Sequence, residues 1–127
     1  MALPTIQFSK ASASVLQVDV LIGNLVYGYY ELFLWDRGGT VQTKIGGGVN
    51  NDDLPDTIKL PNAPATYDGQ TLQWRIAAAP LPNGDTTYSV RVRVRQGEND
   101  LPGGTFSWGG DLGNGKEIVG GAVLVGK

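Results

Sequence analysis

Three arginines stand at alternate positions in the segment TTYSVRVRVRQ: Arg91, Arg93 and Arg95, with Val90, Val92 and Val94 between them. Residues two apart in an extended chain share a face, so this spacing gathers positive charge on one side of one strand. Charge so placed either meets nearby carboxylates and solvent or receives an anion or an acidic partner. Arg75, in TLQWRIAAA, extends the row if that segment pairs with the arginine strand. Asp19 and Glu31 are the acids within extended segments that can balance it. A formal net charge of −2, with Asp52, Asp53, Asp56, Asp68, Asp85, Glu98 and Asp100 crowding the loops, argues against a nucleic-acid partner.

Calcium is the one ion the sequence invites. The run VNNDDLPD offers Asp52, Asp53 and Asp56 with Asn50 and Asn51, oxygen donors of the type calcium takes. Their spacing matches no EF-hand loop, and Asn and Asp are also ordinary turn residues that bond their own backbone. GDLGNGKE contains the GxxxxGK part of a phosphate-binding loop. Glu117 stands where a Ser or Thr would bind magnesium, and a strand-like run follows where a helix should start, so we read a glycine-rich hairpin turn.

Histidine and cysteine are both absent, which removes imidazole bases, thiol nucleophiles, disulfides and the usual zinc ligands. An enzyme would have to use a carboxylate pair, a lysine or a metal, and no motif assembles any of these. The expectation is a protein without catalytic residues or an obligatory cofactor. Aromatics are the better lead. Tyr27, Tyr29 and Trp108 are the candidate ligand contacts, since Tyr and Trp give rigid amphipathic contact surface. In YYELFLWD, Tyr29, Phe33 and Trp35 fall on one face and Tyr30, Leu32 and Leu34 on the other, and only one of these faces can be the main core.

The elements that must position these residues are strands. SVLQVDVLIG alternates apolar Leu16, Val18, Val20 and Ile22 with Gln17 and Asp19, as a half-buried strand does. YGYYELFLWD reads as a central strand covered on both sides, TVQTKIGGG as an edge strand, TIKL as a short strand and EIVGGAVLV as a buried closing strand. About eight strands, turn signals roughly every 8 to 12 residues and no helical period predict one all-β domain over residues 1–127, an antiparallel β-sandwich. Trp74 belongs to its core.

Two connections are open at LPNGD. A three-residue Pro82-Asn83-Gly84 hairpin, with Gly84 left-handed, would set Trp74 opposite Val92 and Arg75 opposite Arg91. Alternatively the chain crosses between sheets. LPNGDTTYSVRVRV resembles the segment of immunoglobulin-like and fibronectin type III domains in which leucine and proline precede a tyrosine-led strand. The resemblance implies a crossing connection, a tyrosine corner at Tyr88 and an immunoglobulin-like or related Greek-key sandwich.

The functional expectation is a recognition module that binds glycan or a protein surface through aromatic and acidic loops. The alternatives are a structural subunit that forms a homo-oligomer or larger particle through edge strands and the termini at Met1 and Lys127, and, third, an accessory component of a pore-forming toxin. MALPTIQFSK has neither the charged start nor the apolar stretch of a cleaved export signal. A soluble protein, cytoplasmic or exported without such a signal, is expected.

Overall fold

The computed structural model describes residues 3–127. Nine strands form: β1 (Thr5–Phe8), β2 (Leu16–Gly23), β3 (Val26–Trp35), β4 (Gln42–Val49), β5 (Asp56–Lys59), β6 (Thr71–Pro80), β7 (Thr87–Gln96), β8 (Asn99–Asp111) and β9 (Lys116–Gly126). A single 3-10 turn, Pro64–Tyr67, precedes β6. The strands make two sheets, one ordered β1-β9-β6-β3-β4 and the other β5-β2-β7-β8. Every pairing is antiparallel except that of β1 with β9.

The alternating apolar residues explain why the sheets face each other. Leu16, Val18, Val20 and Ile22 of β2 and Val90, Val92 and Val94 of β7 supply one inner face. Tyr30, Leu32 and Leu34 of β3, Leu72, Trp74 and Ile76 of β6, and Ala122 and Leu124 of β9 supply the other. Each such aliphatic side chain gains about 1.5 to 3 kcal/mol on leaving water, enough in sum to offset the entropy of ordering the strands. Trp74 is the largest of them and only 1% exposed. Its rings lie 4.8 Å from Phe106 and 5.8 Å from Trp108. Gly120 opposite makes room for it: a Cβ there would stand 2.5 Å from the indole nitrogen.

The chain crosses between sheets after β6, as the immunoglobulin-like reading implied and against the hairpin register. Trp74 faces Leu32 and Gly120, not Val92; Arg91 faces Leu21 and Ser107, not Arg75. The left-handed residue in the connection is Asn83, at φ 59°, and not Gly84. Asn tolerates that region through its short polar side chain. Gly84 answers a different need, since a Cβ on it would come within 2.5 Å of Leu25 O. Tyr88 packs part-buried against the core, and no hydrogen bond from its hydroxyl is present among the described residues.

GDLGNGKE is also a crossing, because β8 and β9 belong to different sheets, and Leu112 is buried within it with its N–H on Thr86 O at 2.8 Å. The strand β9 lies inside its sheet, between β1 and β6; its inner face is buried, while Val119 on the outer face is 54% exposed. TVQTKIGGG is the edge strand β4, as expected. The expectation placed on Met1 falls outside the described residues. None of the described helices is long and apolar enough to cross a membrane.

Candidate functional site

The arginine strand lies on the outer face of the four-stranded sheet, and its charge is met by Asp19. Asp19 is Arg93's cross-strand partner on β2 and is 4% exposed although it points away from the core, because two arginines fold over it. Arg93 Nη2 donates to Asp19 Oδ2 at 3.0 Å and Arg95 Nη2 to Oδ1 at 3.0 Å, while Thr57 Oγ1 donates to Oδ1 at 2.7 Å. Arg95 Nε lies 2.7 Å from Oδ2 without the alignment of a hydrogen bond, so that contact is electrostatic. Burial pushes the Asp19 carboxyl up, but the hydrogen bonds from Arg95, Thr57 and Arg93 outweigh it and hold the group below the usual carboxylate range. Asp100 adds a looser contact to Arg93 at 3.6 Å.

The four arginines do not share one face. Arg75 is in the other sheet, directly across from Glu31 and 3.6 Å from Glu117. Glu31 takes Lys44 at 3.2 Å. Arg91, exposed between Leu21 and Ser107, stands outside the Asp19 cluster. The arrangement that can do least for an anion is therefore at Arg93 and Arg95, whose guanidinium groups are already turned onto Asp19, with Asp100 beside Arg93.

In VNNDDLPD the acids do structural work. Asn50 is buried; its Oδ1 accepts from Ile22 N at 2.9 Å and its Nδ2 donates to Leu54 O at 2.7 Å and Asp56 Oδ1 at 3.1 Å. Tyr30 donates its hydroxyl to Asp56 Oδ2 at 2.9 Å, and burial, then this carboxylate, push the phenol up. Asp52 Oδ1 accepts from Leu54 N at 3.3 Å in a local turn, and Asp53 is left-handed at φ 58°. Among the described residues no three acids, histidines or cysteines are grouped so as to hold a metal.

The outer face of the five-stranded sheet differs in kind. The parity of β3 turns Tyr27, Tyr29, Glu31, Phe33 and Trp35 outward, opposite the buried Tyr30, Leu32 and Leu34. The sequence suggested that β3 is covered on both sides; no element covers this one among the described residues, and Tyr27 is 44% and Tyr29 37% exposed. Across from Tyr27 and Tyr29 on β6 stand the small residues Ala79 and Ala77, and Val49 on β4 stands across from Tyr29. A band of charge, Lys44, Glu31, Arg75 and Glu117, crosses the middle. Beyond it lie Phe33 and Trp35, with Gln73 and Thr71 alongside on β6.

Of the three aromatic candidates, Tyr27 and Tyr29 are brought together on this strand face and not in loops. Trp108 is elsewhere: on β8 it pairs with Val90 of β7, turns inward and lies between the sheets, stacked on Phe106 and tilted against Trp74. Trp35 was visible in the sequence through its parity with Tyr29. Gln73 was not, since its place depends on strands brought together only by folding. Compared with known proteins, the chain matches no family model, and no curated protein or solved structure matches significantly.

Proposed function

We propose that this protein is a non-enzymatic recognition module that binds glycan chains on the outer face of its five-stranded sheet. The observation that carries the reading is the row of aromatics along β3: Tyr27, Tyr29, Phe33 and Trp35 on one outward face. Alternate residues on a strand are about 6 to 7 Å apart, so the row is an extended set of rings suited to an extended ligand. Sugar rings present flat C–H faces and a hydroxyl rim, and an amphipathic aromatic meets both needs. The acids that general acid–base chemistry would need on this face, Glu31 and Glu117, are paired with Lys44 and Arg75, which favours binding over catalysis. The immunoglobulin-like comparison is supported by the sheet-to-sheet crossing ahead of Tyr88, and it bears on architecture alone.

A glycan array with the whole chain, run with and without calcium, tests the reading. Binding is expected, and the double change Tyr27→Ala with Tyr29→Ala should weaken it without moving the thermal midpoint. An array with no signal for the unchanged protein would overturn it.

A second reading, a subunit that self-assembles, is favoured by one observation. The strand order ends at β8, which runs from Asn99 to Asp111 and has β7 as its one paired neighbour. β1 lies against its first part, where a Cβ on Gly103 would meet Thr5 O at 2.6 Å, and the remaining edge toward Asp111 can take another strand. Light scattering that returns a defined multimer, lost when Ser107 is changed to Pro, would favour assembly.

A further inference from the structure

At the Trp35 end of the aromatic face the surface sinks into a recess of about 390 Å³, lined by Leu3, Trp35, Thr71, Gln73, Val119 and Gly121. Its volume is at the small end of the range for ligand sites, about 300 to 1,000 Å³. None of the side chains lining it is charged. We propose that this recess is the subsite that takes one neutral sugar ring of the glycan, stacked on the Trp35 indole and hydrogen-bonded by the Gln73 amide. The inference rests on the glycan reading above and names where and how its ligand is held.

Two hydrogen bonds carry it. The Trp35 indole N–H donates to Gln73 Oε1 at 2.8 Å, and Gln42 Nε2 donates to the same oxygen at 2.8 Å. Two donors occupy both lone pairs of that oxygen, which fixes the way the amide faces. Gln73 Nε2 is thereby turned away from both, and among the described residues it has no protein acceptor; the Thr71 hydroxyl has no partner either. The same bond fixes the plane of the Trp35 ring, so little rotamer entropy is left to lose on binding. The result is a locked aromatic with free donors at its margin and apolar walls from Leu3 and Val119.

Those properties select the ligand class. A flat ring with apolar C–H bonds on one face and hydroxyls at its edge matches them, because stacking and edge hydrogen bonding are satisfied together. A nucleotide or an acidic sugar brings an anion that no cation in the lining would meet, at a desolvation cost. A purely apolar ligand would leave Gln73 Nε2 and Thr71 Oγ1 without acceptors once water is displaced.

The test uses the intact chain with four neutral probes, cellohexaose, maltohexaose, mannohexaose and xylohexaose, and one anionic probe, a heparin hexasaccharide. Binding is followed by the indole N–H resonances, with that of Trp35 assigned through Trp35→Phe, and by calorimetry on Trp35→Ala and Gln73→Leu. At least one neutral probe should shift the Trp35 resonance, and each of the two variants should lose affinity by about tenfold or more. The resonance in the unchanged protein serves as a readout that does not depend on either variant folding. A neutral probe that binds and leaves Trp35 unmoved, with affinity lost on Tyr29→Ala alone, overturns the recess and leaves the glycan reading standing. Binding confined to the heparin probe has the same consequence. Failure of every probe, together with a silent array, overturns both.

Discussion

The two outer faces of this sandwich are built from the same alternation, yet they use their outward residues in opposite ways. On the four-stranded sheet, β2 and β7 turn out Asp19, Arg93 and Arg95, and these satisfy one another with Thr57 so fully that Asp19 is buried on a solvent face. On the five-stranded sheet, β3 turns out Tyr27, Tyr29, Phe33 and Trp35, and its charges, Glu31, Lys44, Arg75 and Glu117, pair across a band that leaves the rings open on either side. A row of arginines looks more reactive in a sequence than a row of aromatics. In the folded protein Arg93 and Arg95 are turned onto Asp19 while Tyr27 and Tyr29 stay exposed, so capacity for a partner is what remains after internal partners are counted.

The largest effect should come from the core that both faces share. Trp74→Ala removes the ring that bridges β6 to Phe106 and Trp108, and should cost about 3 to 5 kcal/mol in urea melts. A loss below about 1 kcal/mol would mean that the sheets are not locked together at this point and that neither outer face is held as described.

The next effect tests whether the charged face is closed. Asp19→Asn should destabilise by about 2 kcal/mol, less than a fully buried pair would cost because Arg93 and Arg95 remain partly solvated. The pH dependence has a definite sign. A carboxyl whose folded pKa lies below its unfolded value, about 3.9, contributes its full stability above that value and loses it as pH falls through the folded pKa. The acid limb of stability, below about pH 4, should therefore be shallower in Asp19→Asn than in the unchanged protein. Asp36 and Asp68, held low first by backbone hydrogen bonds, keep part of that limb in both. Equal limbs would show that the cluster on β2 and β7 is not a folding determinant.

The smallest effects on stability sharpen the contrast. Arg91→Gln and Tyr29→Ala each alter an exposed outward residue and should each change stability by no more than about 1 kcal/mol. Their effects on ligand binding should differ: none for Arg91→Gln, a clear loss for Tyr29→Ala, as read on the array. The reverse pattern would move the site to the arginine face.

How far the sequence announced this arrangement can be judged strand by strand. The alternation in SVLQVDVLIG reports β2, its inner Leu16 to Ile22 row and the outward Asp19, because one residue type per face is all that a half-buried strand needs. YSVRVRVRQ reports its own two faces equally well, but its alternation reads the same whichever strand lies beside it. The alternation therefore left the placement of β6 and β7 open, and with it the separation of Arg75 from Arg91, Arg93 and Arg95; the sign of a crossing came from the resemblance of LPNGDTTYSVRVRV to immunoglobulin-like segments. Trp108 stood out as a candidate ligand contact because Trp gives amphipathic contact surface, whereas its alternation with Phe106 two positions earlier puts both on the inward face. Gln73 gave no sign, since its partners Gln42 and Trp35 lie 31 and 38 residues away in the chain.

The placement of β9 has a bearing on how the molecule comes into being on a ribosome. The strand sits between β1 and β6, so the strand with which β1 pairs is missing until Lys116 to Gly126 has emerged. Until then β6 offers a bare edge, and the indole of Trp74 lacks the Gly120 backbone against which it lies. A nascent chain in this state shows an unpaired strand and an uncovered apolar surface together, the combination that invites chaperone capture or off-pathway association. Completion of this sheet is consequently tied to β9, and a product stalled or truncated before Lys116 should accumulate as an aggregation-prone intermediate, not as a smaller working domain.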